Sequence, residues 1–93
     1  MIMKFKVYEV KATRVEEKDD YEQSFLYAGY EDAVAKFKEL VEAEKKVDWI
    51  EEGLASDSNK YELYENVDFW GFYAEDMWSD WRSEVTIIER EVF

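Results

Sequence analysis

Residues 30–46, with the sequence YEDAVAKFKELVEAEKK, carry the clearest periodic pattern in the chain. Their apolar residues follow the three- and four-residue spacing that places side chains along one face of an α-helix. Acidic residues begin the segment and lysines end it, and both placements complement the helix dipole. The pattern predicts a long amphipathic helix. Its apolar stripe comprises Ala33, Val34, Phe37, Leu40, Val41 and either Ala43 or Glu44.

Beyond this helix, Trp49, Ile50 and Leu54 continue an amphipathic pattern. Gly53 is a candidate C-cap, because glycine readily adopts the left-handed conformation that commonly ends a helix. Two interpretations stay open at this point. Either the first helix extends, or a second short helix begins near Val47.

One strand is predicted at the start of the chain, over residues 2–13. Apolar and basic side chains alternate as far as Val7, after which Tyr8 and Val10 place apolar side chains on the opposite parity. Either a β-bulge near Tyr8 or Glu9, or burial on both faces, explains this change of phase.

A second strand is predicted between this strand and the helix. The polar run EEKDD at residues 16–20 predicts a turn. Residues 22–28 then predict a strand in which Phe25 and Tyr27 share a parity, and therefore a face.

Three more strands are predicted after the helix, over residues 60–66, 68–74 and 83–92, and a loop is predicted at residues 55–59. The segment 75–82 is predicted to be a loop or a single helical turn. A turn at Asn66 and Val67 joins the first two of these strands. Because side chains alternate along a strand, each of these strands has two sets of residues on opposite faces. In the first strand, Tyr61 and Leu63 lie opposite Glu62 and Tyr64, and in the second, Phe69 and Tyr73 lie opposite Trp70 and Phe72. In the third strand, Val85 and Ile87 lie opposite Ile88 and Val92.

These elements predict one α+β domain over residues 1–93. It consists of an antiparallel sheet of about four to five strands, with one long amphipathic helix packed on one face. The alternation does not decide whether Phe69 and Tyr73 or Trp70 and Phe72 face the helix.

Charge is spread unevenly over the chain, which has 24 acids, 12 bases and a formal net charge of −12. Residues 1–14 hold four bases and one acid, a net charge of +3, whereas residues 47–93 hold three bases and 13 acids, a net charge of −10. Phosphate contacts need clustered lysine and arginine, so neither nucleic acid nor an anionic membrane is an expected ligand. A basic protein surface is the expected partner.

Cysteine and histidine are both absent from the sequence. Their absence excludes disulfides, thiol nucleophiles and imidazole acid–base chemistry, and with them the usual zinc sites. We expect neither a metal nor a cofactor. The sequence also shows no signal-peptide pattern and no apolar stretch of membrane-spanning length, so a cytoplasmic location is expected.

The segment 61–81 combines eight aromatic residues with six carboxylates and contains no base. Exposed tryptophan and tyrosine rings are enriched at interface hot spots, and they stack on cationic side chains. Carboxylates at phosphate-like spacing can also occupy a nucleic-acid-binding groove. Alternatively, the rings form the core and the acids only solubilise the protein. The candidate partner-binding residues are Glu62, Tyr64, Glu65, Asp68, Trp70, Glu75, Asp76, Trp78, Asp80 and Trp81.

Other functions have weaker support in the sequence. Glu75, Asp76 and Asp80 could act as paired acids, but no other type of catalytic group lies nearby, so we do not expect an enzyme. Calcium binding by Asp57 and Asn59 also has little support, because the loop SDSNK at residues 56–60 lacks the ligand count and the closing glutamate of an EF-hand. A small-molecule or sugar site on Trp70, Trp78 and Trp81 stays open. So does a homodimer through the basic first strand or the rings.

The chain resembles the small acidic proteins of bacteriophages and mobile elements, including anti-CRISPR proteins and DNA mimics. The resemblance lies in its size, its charge, its lack of cysteine and the segments VYEV, YEDAVAKFKELVE and YELYE. It implies a non-enzymatic inhibitor that blocks the basic groove of a nucleic-acid-binding defence enzyme. The alternative is a structural or assembly protein, as a homodimer or a complex subunit, with no inhibitory role.

Overall fold

Five strands and two helices follow one another along the chain. The computed structural model describes residues 5–16, 19–56, 60–75 and 80–92, with the side chains of Phe5, Glu75, Asp80 and Val92 excepted. The elements are β1 (Phe5–Glu16), β2 (Asp19–Tyr27), α1 (Tyr30–Lys45), α2 (Asp48–Leu54), β3 (Tyr61–Glu65), β4 (Phe69–Glu75) and β5 (Asp80–Val92).

All five strands form one antiparallel sheet in the order β2-β1-β5-β4-β3. The long strands β1 and β5 therefore lie at the centre, and β2 and β3 are the edges. The predicted α+β class is confirmed, and the sheet has five strands.

The predicted amphipathic helix is present as α1, with 16 residues, and the structure decides the end of its apolar stripe. Glu44 is buried and Ala43 is exposed. The stripe therefore continues with a charged residue, which requires a partner in the core.

The fold prediction counted one helix, but α2 follows α1 as a separate element, so the second helix that was left open from near Val47 is the correct interpretation. Val47 has extended backbone angles, φ −67° and ψ 133°, and interrupts the helical path. Gly53 is not the C-cap, which is Ala55. Gly53 instead lies inside α2 at a close contact, since a Cβ there would approach the Phe72 ring to 2.7 Å.

Both helices cover the same face of the sheet. The core beneath them draws Val10 and Ala12 from β1, Val85 and Ile87 from β5, and Trp70 and Phe72 from β4. Phe25 and Tyr27 of β2 share one face, as predicted, and both pack against the same core. The alternation that the sequence left undecided is settled, because Trp70 and Phe72 face the helices. Phe69 and Tyr73 lie on the other side of the sheet, here called the open face.

The change of phase in β1 does not come from a bulge. Its pairing with β5 runs without interruption from Phe5↔Val92 to Val15↔Arg82. Tyr8 and Val10 lie on the helix-covered side, and Val7 is half-buried on the open face. Apolar side chains on both faces therefore explain the pattern.

Several predicted loops are only partly described. Strand β1 extends to Glu16 and β2 begins at Asp19, so residues 16, 19 and 20 of the predicted turn are strand, and residues 17–18 lie outside the described part. Much of the loop predicted at residues 75–82 is strand, since Glu75 ends β4 and Asp80 begins β5. Among the described residues, no helix is long and apolar enough to cross a membrane.

Candidate functional site

The hairpin formed by β3 and β4 carries most of the described candidate site. Its register pairs Glu62 with Tyr73 and Tyr64 with Gly71. The backbone N–H of Asn66 donates to the Phe69 carbonyl oxygen at 2.7 Å, which closes the turn over Val67 and Asp68. The turn therefore lies one residue later than predicted.

Every residue from 62 to 68 is exposed, so neither helix covers the side chains at this end of the hairpin. We call residues 62–68 the acidic hairpin, because they include Glu62, Glu65 and Asp68 and no base. None of these three carboxylates forms an ion pair with a described lysine or arginine. They remain available to a basic partner.

Three acids elsewhere on the sheet form ion pairs within the chain. Glu9 binds Arg90 at 2.8 Å, Glu22 binds Lys11 at 2.9 Å, and Glu89 binds Lys6 at 3.1 Å. Hydrogen bonds from Ser24 and then Arg90 lower the pKa of Glu9. Part of the acidic charge of the β1–β2–β5 region is thus compensated within the chain, whereas no carboxylate of the acidic hairpin forms an ion pair with a described base.

An aromatic pocket lies beside the acidic hairpin on the open face. It has a volume of about 400 Å³ and is lined by Glu62, Tyr64, Phe69 and Tyr73. The Tyr64 and Tyr73 rings meet edge to face, with centroids 5.6 Å apart and planes at 78°. The pocket therefore presents differently oriented ring surfaces next to one carboxylate.

Gly71 sets the positions of two of these rings. A Cβ at this residue would approach Phe69 Cε1, Tyr73 Cε2 and the Tyr73 hydroxyl oxygen to 2.9 Å each. The rings of Phe69 and Tyr73 therefore converge over the bare backbone of the residue between them. A larger residue would push them apart.

Both tyrosines of the pocket donate hydrogen bonds to carboxylates. The Tyr64 hydroxyl donates to Glu62 Oε2 at 2.7 Å, and the Tyr73 hydroxyl donates to Glu84 Oε2 at 3.1 Å. The bond to Glu62 raises the pKa of Tyr64. Burial, followed by the bond to Glu84, raises the pKa of Tyr73 to about 12. Both hydroxyls therefore stay protonated at neutral pH, and the bonds hold both rings in position.

The prediction that Trp70 belongs to the contact surface is wrong. This side chain is 2% exposed and packs in the core under the helices, with its ring stacked near Phe72. Its parity places it on the covered side of β4, where a partner or a sugar cannot reach it. Trp81 is half-buried on the same side and meets Trp49 edge to face, with centroids 5.4 Å apart.

The remaining candidate residues lie near the far end of β4 and β5. Glu75 and Asp80 pair in the register between these strands, and their side chains are outside the described part. Asp76 and Trp78 lie in residues 76–79, which are also outside the described part. Asp57 and Asn59, the calcium candidates, lie in residues 57–59, which are also outside the described part.

Sequence reasoning missed two residues of the pocket, Phe69 and Tyr73. The signal was present in the hairpin itself. A two-residue turn pairs even-numbered residues of one strand with odd-numbered residues of the other. If Glu62 and Tyr64 face solvent, then Phe69 and Tyr73 must share their face.

A second polar cluster lies on the helix-covered side. Glu44 accepts hydrogen bonds from Arg14 Nη1 at 2.7 Å and from Ser83 Oγ at 2.8 Å. Arg14 Nε approaches Glu16 Oε1 to 2.6 Å without the alignment of a hydrogen bond. The Trp49 indole N–H donates to the same Glu16 oxygen at 3.3 Å. This cluster joins β1, β5 and both helices, so its role is structural.

The described residues contain no group of three or more acidic side chains placed to hold a metal ion. No protein-family model matches the chain, and the searches of curated proteins and of solved structures also find no match. The geometry of the hairpin and its pocket is therefore the basis for a functional proposal.

Proposed function

We propose that this protein is a non-enzymatic interaction protein that occupies a basic surface of a nucleic-acid-binding protein. The observation that carries the proposal is the acidic hairpin, an exposed segment whose three carboxylates have no described base as an ion-pair partner. A basic groove would exchange its counterions for these carboxylates as it does for phosphates. Inhibition by competition with nucleic acid would follow.

Exposed aromatic and aliphatic side chains within the acidic hairpin support the same proposal. Tyr64 is 50% exposed, and Leu63 and Val67 of the same hairpin are also exposed. Interfaces combine such apolar and aromatic contacts with a charged rim. A surface that only solubilises the protein would not require exposed rings and aliphatic side chains among its acids.

The test compares two double charge reversals that change the net charge equally. E65K/D68K alters the acidic hairpin. D20K/E52K alters exposed acids on β2 and α2 and serves as the matched control. Asp68 is suitable because its fold contact uses the backbone, where its carbonyl oxygen accepts from the Ile87 N–H at 2.9 Å.

Binding is measured against purified nucleases and CRISPR effectors at several salt concentrations, with and without their nucleic acid. We expect salt-sensitive binding that nucleic acid displaces. E65K/D68K should weaken it by about tenfold or more, since close interfacial charge pairs couple by about 1.5 kcal/mol or more. D20K/E52K should weaken it only slightly. Equal loss in both variants, or no loss in E65K/D68K, would reject the acidic hairpin as the contact surface.

A second candidate function is assembly into a larger complex through an edge strand. The observation that favours it is β3, which is an edge of the sheet and carries the exposed side chains of Leu63 and Tyr64. Edge strands with free backbone groups can pair with another chain. Light scattering over a concentration series distinguishes this function, because assembly through β3 predicts a mass that rises with concentration.

A further inference from the structure

We propose that the aromatic pocket receives one arginine side chain from the basic partner. This inference rests on the proposed function and names the chemical group that the site recognises. The ligand class is a guanidinium on a protein surface, held by the rings of Tyr64, Phe69 and Tyr73 and by the Glu62 carboxylate.

The shape of the pocket suits a planar cation. Guanidinium groups stack on aromatic faces while their edge N–H groups reach a carboxylate. Here the Tyr64 and Tyr73 planes stand at 78°, so one ring can offer its face while the other borders the guanidinium edge. Glu62 lines the same pocket and already has its carboxylate oriented by the Tyr64 hydroxyl.

The charge of the pocket also favours a cation from outside. None of the described lysines and arginines lies over the Tyr64, Phe69 or Tyr73 ring. The neighbouring base on the open face is Arg82, which pairs with Tyr73 in the register and whose Nε lies 3.9 Å from Glu84 Oε1. In the register of the three strands, Tyr73 lies between Glu62 and Arg82. The Arg82 side chain is directed to Glu84 and not to Glu62.

The chain itself contains the interaction that the pocket would make. The Arg14 guanidinium carbon lies 4.8 Å from the centre of the Tyr21 ring, and its nitrogens contact the carboxylates of Glu44 and Glu16. A tyrosine ring and adjacent carboxylates therefore hold an arginine on the helix-covered side. The aromatic pocket combines the same groups, with a tyrosine ring beside Glu62, and is open to a partner.

The experiment titrates the isotope-labelled full chain with the peptide acetyl-Gly-Arg-Gly-amide and follows amide and aromatic resonances. The control peptide carries citrulline, which keeps the shape of arginine without its charge. We expect shifts at Tyr64, Phe69, Gly71 and Tyr73. We also expect affinity about tenfold higher for the arginine peptide than for the citrulline peptide, because the neutral group loses the cation–π attraction. A lysine peptide should bind more weakly than the arginine peptide.

Variants test whether the pocket groups are responsible. Y64L keeps an apolar side chain but removes the ring, and E62Q keeps the shape but removes the charge. Each should weaken binding of the arginine peptide by about threefold to tenfold. Y30L is the matched control, since Tyr30 is also an exposed tyrosine but lies at the start of α1. G71A substitutes none of the lining residues, but its Cβ displaces the Phe69 and Tyr73 rings, so it should also weaken binding.

Several outcomes would overturn the proposal. One is that the citrulline or lysine peptide binds as tightly as the arginine peptide. Another is that the pocket resonances do not shift at the highest soluble peptide concentration. A third is that Asp20 and Glu52, which lie outside the pocket, shift as much as the pocket residues do. In the partner assay, normal binding by Y64L and E62Q together with loss in E65K/D68K would reject the arginine pocket and leave the proposed function standing. Normal binding by all three would reject the proposed contact surface as well.

Discussion

The two faces of β4 use similar residues for different purposes. Trp70 and Phe72 are each 2% exposed and form the core with the helices. Phe69 and Tyr73 alternate with them in the sequence and line a pocket on the open face. The difference shows that aromatic content alone does not identify a binding surface. The deciding factor is which of the two alternating sets of β4 residues lies on the face that the helices cover.

Carboxylates differ between the two faces in the same way. Glu44 is buried and is held by Arg14 and Ser83, so it connects elements of the fold. Glu62 is exposed, and its described partner is a tyrosine hydroxyl beside the pocket. One carboxylate supports the packing of α1, while the other is available to a ligand.

The largest expected effect comes from removing rings on opposite faces of β4. F72A should lower the free energy of unfolding by about 3–5 kcal/mol, because it leaves a cavity between α2 and the sheet. Y73A should lower it by only about 1 kcal/mol, since its half-buried ring borders solvent. Urea denaturation measures both values. Equal losses would contradict the assignment of the two faces.

A smaller effect is expected from neutralising the two carboxylates. E44Q should cost about 2 kcal/mol of stability, because Arg14 loses a partner in a largely buried site. Gln can still bond to Ser83, which limits the loss. E62Q should change stability by less than about 0.5 kcal/mol, as is usual for exposed charges. A stability loss in E62Q matching that of E44Q would show that Glu62 also supports the fold.

The smallest effect concerns the pH dependence of the open face. The pKa of Tyr73 is raised to about 12, above its ordinary value of 10.0. The folded state therefore holds this proton more tightly than the unfolded state does. The resulting stability is fully present below pH 10 and is lost as the pH rises through 10 to about 12.

This dependence is tested by denaturation of the natural chain and Y73F at several pH values. The natural chain should lose more stability than Y73F between pH 10 and about 12. Tyrosinate absorbance of the folded chain should show one late-ionising group that Y73F lacks. Identical pH profiles would mean that Tyr73 is not held by burial and Glu84.

Much of the fold could be predicted because its elements carry strong local patterns. The three- and four-residue spacing of α1 and the alternation in the strands depend only on helix and strand geometry. The parity of Phe25 and Tyr27, and that of Tyr61 and Leu63, was predicted for this reason. The break between α1 and α2 was harder, because the sequence allowed both a continuous helix and a second helix from near Val47, and only the extended angles at Val47 decide between them.

The candidate site could be predicted only in part. The acidic, ring-rich character of residues 61–81 is visible in the sequence, and Glu62, Glu65 and Asp68 are exposed as the prediction requires. Trp70 was assigned to the wrong side because its parity does not say which face a helix covers. Phe69 and Tyr73 were omitted for the same reason.

By itself, the sequence determined the α+β class, the main helix, the strand parities and the absence of bases from residues 61–81. These properties depend on side-chain order and on local backbone geometry. Only the tertiary structure decided that α1 and α2 both cover the Trp70 and Phe72 side, which leaves Tyr64, Phe69 and Tyr73 on the open face. That choice depends on contacts between residues far apart in sequence, such as Gly53 with Phe72 and Arg14 with Glu44.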